Sequence, residues 1–182
     1  PGTSIAFTVD ADRPILPEIT AAARYCPLRV TFEGDPLPQQ DFLTGAHRVH
    51  TFPGVRIGVF EHMPTHHQPN INFHGVVLHQ KLPSINEVRG PRWHVRADIL
   101  DAARLKLVLP AGKELVQDAA LEELLQQCLL AIFETIAQRP SHRLAHEDWR
   151  TGSALTPLRE AEAGLSPWHA TPAHETGKSY QT

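Results

Sequence analysis

The sequence has 182 residues, of which 41% are hydrophobic and 20% charged, as expected of one globular domain with a tail. Its 17 lysines and arginines against 20 aspartates and glutamates leave a net charge of -3, which excludes a global positive field that would draw in nucleic acid. The two cysteines, Cys26 and Cys128, lack metal-type spacing and supply no disulfide framework, and no apolar run nears membrane-spanning length, so a cytoplasmic setting without a membrane partner is expected.

In chain order, residues 4–10 alternate Ile5, Phe7 and Val9 with small or polar residues and read as a half-buried strand. Residues 15–26 then place Ile15, Ile19, Ala22 and Ala23 on one face, with Pro17 suited to a first helical turn, and predict a short helix ending before Pro27. Leu28, Val30 and Phe32 alternate toward a Gly34-Asp35-Pro36 turn, which predicts a strand entering a hairpin. Further strands are predicted at 55–62 and 71–80, separated by turn-forming residues, and a strand pair at 92–100 and 104–110 brackets a short link.

From Asp118 to Gln138 the residues Leu121, Leu124, Leu125, Cys128, Leu129, Ile132, Phe133 and Ile136 recur at three- and four-residue spacing, the strongest helical pattern in the chain. Beyond Pro140 the sequence turns rich in Pro, Gly, Ser and His, with one short helix expected at about 155–163 and with Trp149 and Trp168 as anchors to the body. Strand, helix, several strands and a long helix together predict an α/β (α+β) protein, a sheet with helices packed on one face. A chain that begins with Pro1 and whose one methionine is Met63 reads as a piece of something larger.

Twelve histidines raise the question of a metal, and His62, His66 and His67 fall within six residues. Pro64 interrupts any helix that would align them, so solvated loop histidines are the expectation and a loop metal site the alternative. Cys128 falls on the apolar face of the long helix, where a thiol is inert, and neither a nucleophile elbow nor a phosphate-cradling glycine loop is present. A weakly basic stretch at 81–106 interleaves Arg89, Arg92 and Arg96 with Glu87, Asp98 and Asp101, which predicts alternating charges on strand surfaces. The one distinctive charge is Lys113, which follows Pro110 and Gly112 in a tight exit from an apolar strand and stands directly before the long helix. An ammonium group held on a short loop suits a phosphate that gathers negative charge during transfer.

The stretch "LKLVLPAGKELVQDAALEELLQQCLLAIFETI" resembles the end of the transducer domain of GHKL-type ATPases, the superfamily of MutL, the DNA gyrase B subunit, the HtpG chaperones and the sensor histidine kinases. "GTSIAFTV" is similar to the strand that closes their nucleotide-binding domain, and "RYCPLRVTFEGDPLPQQDFL" to their early transducer strand and hairpin. The resemblance implies a ribosomal-S5-domain-2-like sandwich with a mixed sheet. It divides the chain into residues 1–12, closing an upstream GHKL nucleotide-binding domain, a transducer-like domain at 13–139, and a partly ordered extension at 140–182. By the same resemblance Lys113 reaches the γ-phosphate of ATP, bound with Mg2+ in the upstream domain, and Gly2 and Thr3 form that domain's last motif. The full-length protein would be an ATPase and a possible homodimer, whereas this fragment alone would neither bind ATP tightly nor hydrolyse it. Two family features are missing, the Asn-Val-His-Pro-type stretch before the MutL lysine and the Gln-Thr-Lys of gyrase. The alternative is a noncatalytic protein- or nucleic-acid-binding module that uses strands 55–80 and the basic stretch as its face.

Overall fold

The structure, a computed structural model, describes residues 14–61, 69–101, 103, 105–108, 115–155 and 165–168. The strand expected at 4–10 lies outside them. The first element, α1 (Leu16–Ala23), carries proline in its first turn, where a missing N–H costs no intrahelical bond. Strands β1 (Thr31–Phe32) and β2 (Asp35–Pro36) form a separate two-stranded ribbon, shorter than the alternation from Leu28 suggested. Glu33 and Gly34 turn it with φ of 52° and 95°, the left-handed pair that a tight hairpin of this twist requires.

Six strands make the main sheet: β3 (Arg48–Phe52), β4 (Val55–Phe60), β5 (Ile71–Phe73), β6 (Val76–Leu78), β7 (Ser84–Asn86) and β8 (Arg92–Ile99). Their order is β3-β4-β8-β5-β6, with β7 also paired to β8. Strand β8 runs antiparallel to β4 and β7 and parallel to β5, so the sheet is mixed. Strand β4 aligns Val55 through Phe60 with Ile99 through His94, and β5 joins the other edge of β8 at Ala97 to Ile99.

Several expectations need correction. The strand expected across 71–80 is two strands, because His74 and Gly75 take φ of 52° and 94° and reverse the chain between Phe73 and Val76. Strands β3 and β7 were not anticipated. The expected partner of β8 at 104–110 is not one: among its described residues only Leu107 makes a bridge, and it bridges Leu115. Helix α3 (His146–Leu155) was not anticipated, and of the short helix expected at 155–163 all but Leu155 lies outside the described residues.

The long helix α2 (Ala119–Ala137) follows the predicted periodicity, and the Asp118 carboxylate caps it by accepting from the N–H groups of Ala120 and Leu121 at 3.1 and 3.2 Å. Its buried face, including Leu124, Cys128, Ile132 and Phe133, lies on Ile57, Val59, Trp93, Val95 and Ala97, all fully or nearly fully buried. Each of the buried Val, Leu, Ile and Phe side chains contributes about 1.5–3 kcal/mol by leaving water, so this layer holds the fold together. Helix α3 packs behind α2, and the Trp149 indole N–H donates to Ser166 O while that of Trp168 donates to Leu144 O, both at 3.1 Å. The architecture is α+β, a mixed sheet with helices on one side. Among the described residues no helix is long and apolar enough to cross a membrane.

Candidate functional site

The segment before α2 begins and ends on anchored residues. Leu107 and Leu115 form an antiparallel bridge, and the Val116 N–H donates to Lys106 O at 2.8 Å. Leu105 and Leu115 are 7% and 2% exposed, so both ends of the excursion are fastened to the core just before the Asp118 cap. Lys113 belongs to that excursion and lies outside the described residues, as do Gly2, Thr3 and the trio His62, His66 and His67. Beside the base a cavity of about 120 Å³ opens between the Pro53-Gly54 turn and the first turns of α2, with Ile99 and Leu105 as apolar walls and Glu123 and Gln127 as polar ones. Among the described residues no group of three or more His, Cys, Asp or Glu side chains is gathered as a metal would need.

Two polar constellations on the sheet escaped the sequence reading. On the α2 side, the buried His50 ring contacts Glu134 Oε2 at 3.0 Å through Nδ1 and Thr135 Oγ1 at 2.8 Å through Nε2. Hydroxyl, imidazole and carboxylate in line is a nucleophile's arrangement. Thr135, however, is 2% exposed and donates its hydroxyl to Ala131 O at 2.8 Å, so no substrate reaches it and the trio docks α2 on β3.

On the opposite face Arg56 bridges Asp98 at 3.3 Å and Asp41 at 2.8 Å, and the Asn72 amide donates to Asp98 Oδ1 at 2.8 Å and to Tyr25 O at 3.2 Å. The Arg56 hydrogen bond, seconded by the Leu43 N–H, holds the Asp41 carboxyl below the usual carboxylate range. Next to this network the Arg96 guanidinium lies 4.0 Å over the Phe42 ring, near Tyr25 and Phe60. Arg92 and Arg96 share one face of β8, whereas Arg89 sits at φ 52° in the turn before it, so the three arginines of the basic stretch do not form one strip.

A larger groove of about 640 Å³ runs between α1 and residues 38–40. Its volume is in the range of small-molecule sites, roughly 300–1,000 Å³. Leu16, Pro17 and Ala21 give it an apolar wall, and Arg24 carries the one charge among its lining residues. No residue of this groove carried a functional signal in the sequence, because helix face and extended wall are joined only by folding.

Compared with family models, with curated proteins and with solved structures, the chain matches none.

Proposed function

We propose that the chain is the transducer part of a GHKL-type ATP-binding protein with a ribosomal-S5-domain-2-like sandwich. In this reading Lys113 stabilises charge on the γ-phosphate of ATP, bound with Mg2+ in an upstream nucleotide-binding domain that Gly2 and Thr3 complete. The observation that carries it is the Leu107-Leu115 bridge, with the Val116 N–H on Lys106 O. The residues that bound this segment are paired with each other directly before a capped helix packed on the sheet, which suits a loop that would hold its lysine in one place. The order of the described elements supports it too, since a helix, hairpin strands, the Leu107-Leu115 bridge and the long helix follow one another where the resemblance has a helix, hairpin strands, the lysine loop and a long helix. The domain's task is then to couple nucleotide state to the arrangement of its neighbours. A contact made to ATP and lost with ADP shifts that arrangement by its differential energy.

The test is steady-state ATP hydrolysis by the protein that joins this chain to its upstream domain, wild type beside Lys113→Ala, with thermal melts of both. The expected result is a loss of turnover of roughly a hundredfold, as for removal of one charge-stabilising donor, with an unchanged melt. Equal turnover in the two proteins, or none in either, overturns the reading and favours a noncatalytic binding module.

A further inference from the structure

The groove beside α1 holds a guanidinium, that of Arg24, fixed by its neighbours. Arg24 donates from Nε to Gln40 Oε1 at 2.8 Å, and the Gln40 N–H donates back to Arg24 O at 2.7 Å. The guanidinium carbon stands 5.3 Å from the centre of the Tyr25 ring. Its inner edge is thus held by an amide and its plane lies by an aromatic ring, while its two terminal nitrogens have no acceptor among the described residues. A planar pair of donors fixed in this way matches a carboxylate bidentately, and little side-chain entropy is left to lose on binding.

The wall facing the helix is fixed as firmly. The Gln39 amide Nε2 donates to Cys26 O at 2.7 Å and to Leu28 O at 2.6 Å, so the extended segment is laced to the chain that leaves α1. No acidic residue lines the groove, because Glu18 falls outside the face formed by residues 16, 17, 20, 21 and 24. Leu16 is 46% exposed at the same groove, about two helical turns from Arg24, which has no carboxylate partner among the described residues.

The geometry points to a binding site for an apolar monocarboxylate, an unbranched acyl chain whose carboxylate sits on Arg24 and whose tail lies along Leu16, Pro17, Ala21 and Pro38. An extended peptide fits less well. It would need main-chain partners, and along 37–40 the Leu37 N–H is given to Val30 O, the Gln40 N–H to Arg24 O, and Pro38 has none. An acyl tail asks for no such partners. This site holds whether or not the chain works below an ATP-binding domain.

The experiment is isothermal titration of the full chain with decanoate, beside decanol, acetate and a short peptide ending in leucine. One decanoate per chain is expected, with decanol and Arg24→Gln each weaker by roughly tenfold or more, the worth of a charge-assisted pair. Acetate alone should give no measurable heat. Ala21→Phe fills the groove from an exposed helix position and should abolish binding without lowering the melting temperature. Equal binding by wild type and Arg24→Gln, uptake of many decanoates per chain, tighter binding of the peptide, or no binding at all overturns the assignment.

Discussion

The carboxylate of Glu87, just past β7, and the guanidinium of Arg139, just past α2, meet at 2.6 Å although 52 residues separate them. The same carboxylate accepts from the Trp93 indole N–H at 2.8 Å and from the Arg143 N–H at 2.7 Å, and its side chain is 2% exposed. One buried anion therefore fastens the end of the long helix to the central strand. Glu87→Ala would strand three donors, one of them the fully buried Trp93 indole N–H, and should cost about 3 kcal/mol in urea denaturation. A loss within about 0.5 kcal/mol, the range of ordinary surface changes, would show that the clamp does not hold the fold.

Gly152 lets α3 approach α2. A Cβ there would stand 2.5 Å from Phe133 Cδ1 and 2.7 Å from Leu165 Cδ1, and Phe133 is fully buried and cannot yield. Alanine gains about 1 kcal/mol over glycine in helix propensity. Overpacking of this degree costs about 1–3 kcal/mol. Gly152→Ala should therefore lower the melting temperature, and a rise would show that α3 does not pack as described.

Burial pushes the Cys128 thiol up to about 12, and the residue has no exposure. Cys26 is only partly buried. A disulfide reagent at neutral pH should label one thiol per native chain, at Cys26, and two after denaturation. Rapid labelling of both in the native state would mean that α2 opens from the sheet.

Asp41 has a folded pKa below its ordinary 3.8, owing first to the Arg56 hydrogen bond. Its contribution to stability is complete above the unfolded value and is lost as the pH falls through the folded one. Wild type should therefore exceed Asp41→Asn by a few tenths of a kcal/mol, up to about 1, at pH 7, since the carboxylate is half exposed. The gap in melting temperature should close as the pH falls below the carboxylate range. A gap that persists in acid would show that the effect does not come from the charge of the carboxylate.

Those elements were legible whose burial is written in apolar side chains. Helix α2 announced itself through leucines at three- and four-residue spacing and the Asp118 cap, and β4 and β8 through alternation. Strand β3 hid because a core-facing position in it is His50, whose burial is made tolerable by Glu134 and Thr135 on a helix far along the chain. Helix α3 hid because its one fully buried residue is Gly152, which has no hydrophobic signature. The turn at His74-Gly75 sat within an apolar run that reads as one strand. Of the site, Lys113 drew attention by local sequence alone, whereas the Arg24 groove depends on Gln39 and Gln40 crossing back over α1, and the Arg56 network on a partner 42 residues away.

The central place of β8 has a consequence for how the chain comes into being. Synthesis delivers the β3-β4 hairpin and the β5-β6 hairpin before the strand that lies between them, so each waits with an unpaired edge until residues 92–99 appear. Contacts closed so late span long stretches of sequence, and folding dominated by them is slow. A product cut short before β8 would hold two hairpins with nothing to join them, and a full chain whose β8 failed to pair would leave α2 without a floor to settle on.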